Sequence, residues 1–496
     1  MKAMTVFAVL LMLSGCGGSG NRGNSTSLAS KSDIAVAGEA AGVTPFIALV
    51  ELRGSSLAAA QSISYTIPSK PGAASRPANI TYSIAALNRR QHTDATSSLQ
   101  LPVFGLYAGY SNEVSICIRF VDASNACLPL TIATAAYTDP NGIYDRPLII
   151  KQRTAGSALG FDFFALKSEL ELPVIIDTDG EIRWVGGAAT PSTSSNFVDN
   201  GFVIGDATGT TVYRAELDGS ISSTILSAAP SAEFNHNIDF GRAGLLGELT
   251  FATNIATTIS EFTPSGGFGK TWDFSQLISA YMTSLGDDPT LFVRPGIDWF
   301  HSNSATYDPR DNSIIVSSRE NFLMKVDYDS GDIIWILGDP TKYWYTFPSL
   351  RAKALTLQGG GLYPIGQHAV SITGEGLVMV MNDGFGSVAE PAGEPAGETR
   401  TYSAVSAYSI DLATRSATEA WHFDYGKTLR SNFCGSAYQA WDQSVLVDFA
   451  GVDNLTLARL IGLDAQQNVV FDFQYATTNC NTAWNAVPVH LENLRF

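Results

Sequence analysis

The chain has 496 residues, of which 45% are hydrophobic and 16% are charged, and its formal net charge at pH 7 is −17. An acidic balance of this size argues against nucleic acid and against an anionic membrane surface as binding partners. Glycine is abundant, with 45 residues, and long Lys/Glu-rich helical patterns are missing. The composition therefore favours a large β protein, and the length leaves room for one small and one large domain.

The first residues have the pattern of an export signal. The apolar run from Val6 to Leu13 is too short to cross a bilayer, which takes about 20 apolar residues, so residues 1–15 are best explained as a removable signal peptide. The run ends in Leu-Ser-Gly-Cys, a lipobox that places a lipid on Cys16; the alternative is an ordinary secretory signal with a chance cysteine. Residues 16–31, rich in Gly, Ser and Asn, have the composition of a flexible tether. We expect an exported lipoprotein that contacts the membrane only through its lipid, and Gly17 favours the outer membrane, facing the periplasm.

Residues 32–138 carry short runs in which apolar and polar residues alternate, such as Ile63–Ile67 and Val114–Phe120. Clusters of Pro, Gly, Asn and Ser separate these runs. Alternation with a period of two and frequent turns predicts a small N-terminal β-sandwich. The cluster Thr138-Asp-Pro-Asn-Gly142 marks its predicted end.

Residues 139–496 repeat a different unit, a turn followed by a short run that ends in an aromatic residue. Units of about 40–50 residues are typical of four-stranded propeller blades. The pattern predicts an all-β fold with a six-bladed β-propeller after the sandwich; a second sandwich or a β-helix are the alternatives. The six turn segments are Asp177–Trp184, Leu217–Gly219, Pro264–Trp272, Asp329–Trp335, Asp411–Trp421 and Asp464–Phe471.

Four cysteines follow the predicted lipidation site. An even number in an exported chain indicates disulfides, for which three pairings exist. Proximity in the sequence favours Cys117 with Cys127 and Cys434 with Cys480. Four buried free thiols are the alternative.

The chain has six histidines, and three of them lie in its most distinctive segments. His236, His301 and His368 are 65 and 67 residues apart, so each falls in a different predicted blade. The inner strands of a propeller converge on its axis, where these side chains can meet Arg319, one strand after His301. Three imidazoles and a guanidinium suit an anionic group that is transferred. A three-histidine metal site is the alternative, which the charge of Arg319 disfavours.

The other three histidines, His92, His422 and His490, are interpreted as structural residues. Five aromatic side chains could wall an aryl pocket, although aromatics in propellers more often pack between strands. They are Trp299, Phe300, Tyr343, Trp344 and Tyr345.

Several motifs between residues 296 and 384 resemble, in the same order, the signature of bacterial arylsulfate sulfotransferases. The resemblance covers roughly residues 140–450. The motifs are Asp298–Pro309, Ser317–Arg319, Ile334–Gly338, Gly366–His368 and Asn382–Gly384.

This resemblance implies the same fold, a β-sandwich before a six-bladed propeller, and a reaction that needs no nucleotide sulfate donor. A sulfuryl group moves from an aryl sulfate to a phenol by a ping-pong mechanism. His368 resembles the nucleophile that is transiently sulfated. His236, His301 and Arg319 resemble the groups around the sulfuryl and phenolic oxygens. The implied chemistry requires no cofactor and no metal.

The sequence departs from the family pattern at four places. Asn235 stands where the family often has a second histidine, and the acidic Glu320 follows Arg319. A Gly/Glu/Pro loop, Glu390–Gly397, replaces a short cysteine loop, and Thr401–Val405 lacks an expected arginine. These departures bear on acceptor specificity.

Two other functions stay open at this point. One is an aryl sulfatase-like hydrolase on the same scaffold, with water as the acceptor. The other is a non-catalytic envelope propeller that binds partners or glycans. The sequence also leaves open whether the chain forms a homodimer.

Overall fold

The computed structural model describes residues 33–90, 98–170, 173–187, 192–226, 232–251 and 256–496. The predicted signal peptide, the tether with Cys16, and His92 lie outside these described residues. Across the described ranges, no helix combines the length and the apolar character needed to cross a membrane.

The N-terminal part is a β-sandwich of two sheets. The alternating runs bury every second side chain, for example Ile63, Tyr65 and Ile67, in the core between the sheets. One sheet has three antiparallel strands in the order Ala35–Ala41, Ile47–Arg53 and Ser98–Phe104. The other has five strands in the order Leu494–Arg495, Ala78–Ser83, Ala60–Ile67, Ser111–Phe120 and Asn125–Ala133.

The C-terminal strand of the sandwich comes from the end of the chain, beyond the propeller. Leu494 pairs in parallel with Ile80, so the last residues return to the N-terminal sheet. Phe496 stacks on Tyr82 with ring centroids 4.4 Å apart. The predicted propeller range of 139–496 did not anticipate this return, which joins the two domains at both ends of the sequence.

The rest of the chain forms six sheets that follow one another around an axis, and the inner strands contact each other from blade 2 through blade 6 to blade 1. We number the blades 1 to 6 and give each from its inner to its outer strand. Blade 1 contains Asn485–Val489, Phe163–Lys167, Val174–Asp177 and Ile182–Trp184. Blade 2 contains Ser195–Val198, Gly201–Gly205, Thr211–Glu216 and Ile221–Ile225. Blade 3 contains Ala232–Phe240, Leu245–Phe251, Thr258–Phe262 and Phe268–Asp273.

The remaining blades continue the ring, and two of them carry a fifth strand at the outer edge. Blade 4 contains Ser302–Asp308, Ser313–Ser318, Leu323–Asp327 and Ile333–Leu337. Blade 5 contains His368–Ile372, Val378–Asn382, Ala404–Asp411, Ser416–Phe423 and Thr356–Gln358. Blade 6 contains Ser436–Gln439, Val445–Gly451, Leu457–Leu463, Val469–Ala476 and Leu148–Lys151.

The fold is therefore all-β, a six-bladed propeller preceded by a small sandwich, as the sequence predicts. Each of the six predicted segments contains the turn that joins the third and fourth strands of a blade. The ring closes through Asn485–Val489, which supplies the inner strand of the blade that begins at Phe163. The second sandwich and the β-helix are excluded by this sheet order.

Short helices fill the gaps between the strands. Phe274–Ser284 begins at Asp273, whose side chain accepts hydrogen bonds from the backbone N–H groups of Ser275 and Gln276. The other α-helices are Ile84–Arg89, Pro348–Arg351 and Val452–Leu455. The 3₁₀-helices are Ser55–Ala59, Pro289–Leu291, Tyr343–Thr346, Tyr425–Lys427 and Leu491–Asn493.

Candidate active site

Irregular backbone brings the three predicted histidines to the same end of the propeller axis. His236 and His301 have positive φ angles of 47° and 48°, and Ala369, next to His368, has 50°. The strand pairing shifts at each place, as in a β-bulge. Bulges re-aim side chains, and left-handed backbone at non-glycine residues persists where the surrounding structure enforces it. Three blades thus turn one histidine each toward the axis.

The three imidazoles form one cluster. The ring centroids of His236 and His301 are 4.9 Å apart, and those of His236 and His368 are 6.4 Å apart. Arg319 follows the second strand of blade 4, and its backbone N–H donates to the carbonyl of His301 at 3.0 Å. The structure therefore brings all four predicted site residues together.

Polar contacts between blades 4 and 5 fix the relative positions of the segments that carry this cluster. The carbonyl oxygen of Gln367 accepts hydrogen bonds from Asn303 Nδ2 at 2.7 Å and from Ser317 Oγ at 2.9 Å. The Gln367 side chain donates back to the carbonyl of Ser318. These bonds explain why the motifs around His301, Arg319 and His368 occur together in the sequence.

Each histidine has a carboxylate on its Nδ1 side. The Nδ1 atoms of His236 and His301 lie 2.9 Å from Glu248 Oε2 and 2.5 Å from Asp298 Oδ2. For His368, Nδ1 lies 2.9 Å from both Asp383 Oδ2 and the carbonyl oxygen of Gly366. Nδ1 of His301 and of His368 is hydrogen-bonded, whereas Nδ1 of His236 lies near Glu248 without forming a hydrogen bond among the described residues. In His301 and His368, Nε2 is therefore the nitrogen left for a substrate. Asp298 and Asp383 lie within two of the family-like motifs, but none of the three carboxylates was predicted from the sequence as a partner of a histidine.

The surroundings of His301 and His368 shift their pKa values in opposite directions. Burial lowers the pKa of His368 well below its usual range, and the nearby His236, Arg319 and His301 add to this effect. Partial burial also opposes protonation of His301, but its hydrogen bond to Asp298 outweighs this and raises the pKa of His301. Burial raises the pKa of Asp383 well above its usual range. The site therefore holds a neutral imidazole beside a more basic one, which is the separation that acid–base chemistry requires.

Glu320 pairs with Arg319 without occupying the whole guanidinium. Arg319 Nη1 contacts Glu320 Oε1, while Nε and Nη2 of Arg319 are buried and have no hydrogen-bond partner among the described residues. Glu320 Oε2 accepts from Ser387 Oγ at 2.6 Å and from the backbone N–H of Val388 at 2.8 Å. Burial would raise the pKa of Glu320, but the charge of Arg319 and these bonds lower it. This departure from the family pattern orients Arg319 and fixes the following loop, leaving two N–H groups for an oxyanion.

The other departures also have structural partners. Asn235 donates to Thr250 Oγ1 at 2.6 Å across the blade. The Glu390–Gly397 loop lies beside Lys342, since the backbone N–H of Tyr343 donates to the carbonyl of Pro395. Burial raises the pKa of Glu390 in this loop to about 7.

The aromatic residues around the histidine cluster are not the five that the sequence suggested. Trp299, Phe300 and Trp344 are 2%, 0% and 1% exposed and belong to an apolar core, against which Tyr343 and Tyr345 pack. The packing alternative is therefore correct, and the suggested aryl pocket was wrong. Partly exposed aromatics lie at the cluster instead.

The aromatic mouth, as we call it, consists of Phe385, Phe433 and Trp484. Phe385 and Phe433 meet edge to face at 5.6 Å, and the Arg319 Cζ atom lies 4.6 Å from the Phe433 ring centroid. Trp484 lies 5.5 Å from the His236 ring. In the sequence, Phe385 follows the Asn382–Gly384 motif, Phe433 precedes Cys434, and Trp484 comes shortly after Cys480.

Both expected disulfides are present, Cys117–Cys127 and Cys434–Cys480. The second adjoins the aromatic mouth: Cys434 follows Phe433, and Phe433 and Trp484 pack against the bridge. Although no cysteine loop follows His368, a disulfide therefore supports the same end of the propeller.

A cavity of about 910 Å³ opens at the opposite end of the propeller axis. It is lined by residues at the far ends of the inner strands, including Asp239, Tyr438 and Trp441. Asn237 fills the axis above it and accepts hydrogen bonds from Lys167 Nζ and Asn485 Nδ2. The histidine cluster does not line this cavity.

The structure also shows where the other described histidines lie, and it bears on the alternative of a metal site. His422 lies on the fourth strand of blade 5, near Glu419 and Asp424, and His490 pairs with Glu492. In the part of the chain that the structure describes, no three His, Cys, Asp or Glu side chains form a group suited to holding a metal ion.

The comparison with known proteins agrees with the motifs. A family model described as Arylsulfotransferase (ASST) matches residues 148–485, which cover the propeller and all four site residues. The chain belongs to the arylsulfotransferase family.

Two curated relatives are both named arylsulfate sulfotransferase AssT. The protein from Escherichia coli O6:H1 (strain CFT073) is 31% identical over 189 residues, 34% of this chain and 30% of the relative. The protein from Lelliottia amnigena is 28% identical over 193 residues, 35% of this chain and 31% of the relative. The matched region thus spans about a third of the length of each relative.

Two solved structures show a weak resemblance to the chain. A structural genomics protein from Bacteroides thetaiotaomicron has a TM-score of 0.33 at 10% identity, covering 89% of this chain and 98% of that one. The Cps50 (Swd1) β-propeller domain from Myceliophteria thermophila has a TM-score of 0.35 at 12% identity, covering 67% of this chain and 100% of that one. The fold assignment therefore rests on the sheet order described above.

Proposed function

We propose that this protein moves a sulfuryl group from an aryl sulfate to a phenol through a sulfated His368. The environment of His368 carries the proposal. The imidazole is 6% exposed, its Nδ1 faces the Gly366 carbonyl, and its pKa is lowered, so Nε2 keeps its lone pair at neutral pH. A neutral, oriented imidazole beside a guanidinium is suited to attack on an anionic sulfate ester.

In the first half of the reaction, His368 Nε2 attacks the sulfur atom and the bond from sulfur to the aryl oxygen breaks. Sulfuryl transfer, like phosphoryl transfer, depends chiefly on positioning and on charge stabilisation. The free Nε and Nη2 groups of Arg319 are available to the sulfuryl oxygens. Protonated His301, held by Asp298, gives its Nε2 proton to the departing phenolate oxygen.

In the second half, the phenolic acceptor attacks the same sulfur and the bond from sulfur to Nε2 breaks. Neutral His301 now takes the phenolic proton, which restores the starting state. While sulfated, the His368 ring is cationic, and its Nδ1 lies 2.9 Å from Asp383 Oδ2, which can accept the Nδ1 proton. Because the first product leaves before the acceptor binds, both aryl groups use the aromatic mouth in turn.

The first prediction separates this transferase from a hydrolase. We expect that adding phenol accelerates release of 4-nitrophenol from 4-nitrophenyl sulfate by about tenfold or more, because phenol discharges sulfated His368 faster than water does. The measurement is the initial rate with and without phenol, with phenyl sulfate quantified as product. Anisole, which has no hydroxyl group, is the control.

A rate that does not respond to phenol would favour the aryl sulfatase-like hydrolase. No release from any member of a broad aryl sulfate panel would favour the non-catalytic propeller that binds partners or glycans.

We also propose that the protein is an exported lipoprotein, anchored through Cys16 in the outer membrane and facing the periplasm. The lipobox supports this, and so do two disulfides, which persist in oxidising compartments. There a nucleotide sulfate donor is absent, so the donor must itself be an aryl sulfate.

The second prediction tests the anchor. Cys16→Ser should move the protein from the membrane fraction to the soluble fraction and abolish labelling with a palmitate analogue, because the thiol that carries the lipid is gone. Ser19→Ala, in the predicted tether, is the control. A Cys16→Ser protein that stays in the membrane fraction would contradict the proposal.

A further inference from the structure

One guanidinium next to the aromatic mouth has no counter-ion among the residues that the structure describes. The Cζ atom of Arg430 is 5.5 Å from the ring centroid of Phe385. Its Nε is buried without a hydrogen-bond partner, and no carboxylate of the described ranges lies within ion-pair distance of Arg430. A buried donor that the protein leaves unpaired calls for an explanation, and at a substrate mouth a ligand can supply the missing acceptor.

Other cations near the site already have partners. Arg319 forms an ion pair with Glu320, and Arg400 Nη2 donates to Asn382 Oδ1 at 2.6 Å. Lys342 Nζ donates to the carbonyl of Glu320 at 2.7 Å. Arg430 differs because it is a partly exposed charge with no such contact.

The Phe385 ring lies near two guanidinium groups. Phe385 has Arg319 at 5.7 Å and Arg430 at 5.5 Å from its ring centroid, and Phe433 has Arg319 at 4.6 Å. A substrate whose sulfate lies against Arg319 and whose ring packs on Phe385 is therefore close to Arg430 as well. The two cations can contact one aryl molecule at two of its substituents.

We infer that Arg430 binds an anionic substituent on the substrate ring, which makes the substrate class aryl sulfates and phenols that carry a second acidic group such as a carboxylate. This inference rests on the proposed sulfuryl transfer. A guanidinium matches the two oxygens of a carboxylate. Since donor and acceptor occupy the same mouth in turn, the preference applies to both.

The experiment compares 4-hydroxybenzoate with its methyl ester as acceptors, because the two differ mainly in the charge at the far edge of the ring. The readout is the ratio of their kcat/KM values within one preparation, which cancels the fraction of active protein. Arg430→Gln should lower the carboxylate-to-ester ratio about tenfold, the loss expected for one charge-assisted hydrogen bond. Arg119→Gln, on an exposed residue of the sandwich, removes the same charge and should leave the ratio unchanged.

Each outcome decides a different point. Transfer to phenols with an unchanged ratio in Arg430→Gln overturns the Arg430 subsite and leaves the proposed function intact. No transfer to any phenol by the wild type overturns the proposed function, and the subsite with it.

If Arg430→Gln fails to fold, the wild type itself provides the test. Raising the salt concentration from about 0.02 to about 0.5 M should lower the carboxylate-to-ester ratio, because salt screens a partly exposed charge pair. A ratio that does not change with salt overturns the subsite.

Discussion

Replacing His368 by alanine is expected to lower kcat/KM for sulfuryl transfer from 4-nitrophenyl sulfate to phenol by about four orders of magnitude or more. The substitution removes the atom to which the sulfuryl group is transferred, and no neighbouring group can replace it. His236 and His301 direct their own Nδ1 atoms to Glu248 and Asp298, which fixes their rings. The residual rate should approach that of the uncatalysed reaction.

A chemical trap tests the same step directly. When the wild type is mixed with donor alone and quenched rapidly, a peptide containing His368 should carry one sulfuryl group, and adding phenol before the quench should remove it. His422→Ala is the matched control, since His422 lies on the fourth strand of blade 5, near Glu419 and Asp424. Near-normal transfer by His368→Ala would contradict the assignment. Turnover without a trapped peptide would favour direct transfer from donor to acceptor.

The repeat of the propeller could be predicted because it is local. A turn and the strand after it are set by neighbouring residues, so Asp329–Trp335 and its five counterparts indicate blades even when the repeats have diverged. Ring closure is not local. Asn485–Val489 pairs with Phe163–Lys167, and Leu494 pairs with Ile80, across hundreds of residues of chain. Nothing in these short strands identifies such distant partners.

The site residues also fall into two groups, those that could be predicted from the sequence and those that could not. The histidines and Arg319 could be selected because histidine is scarce in this chain and the motifs resemble a known family. The carboxylate partner of His236 depends on register: Glu248 faces Asn235 from the neighbouring strand, and a bulge then turns His236 toward it. The aromatic mouth depends on a disulfide that brings Phe433 and Trp484 together. Side chains brought together by register and cross-links leave little trace in the local sequence.

Replacing His301 by glutamine is expected to affect donors according to how poorly their phenolate leaves. Phenyl sulfate needs its departing oxygen protonated, so we expect a loss of about 10²- to 10⁴-fold in kcat/KM, the usual contribution of a general acid. The 4-nitrophenolate ion is stable without a proton, so the loss with 4-nitrophenyl sulfate should be much smaller. Both values come from initial rates with each donor at a fixed pH. Equal losses for the two donors would mean that His301 binds the sulfuryl group without acting as the acid.

The pH dependence provides an independent check on His301. Its pKa is raised, so the acid form is present below that pKa and disappears as the pH rises through it. The pKa of His368 is lowered, so the nucleophile is lost only when the pH falls well below the usual histidine range. With phenyl sulfate, kcat/KM should therefore rise as the pH passes the lowered pKa of His368. It should fall again as the pH passes the raised pKa of His301. His301→Gln should abolish the fall at high pH and leave the rise. His422→Gln should retain both limbs, although the pKa of His422 is also raised, by its hydrogen bond to Glu419, because His422 lies outside the site.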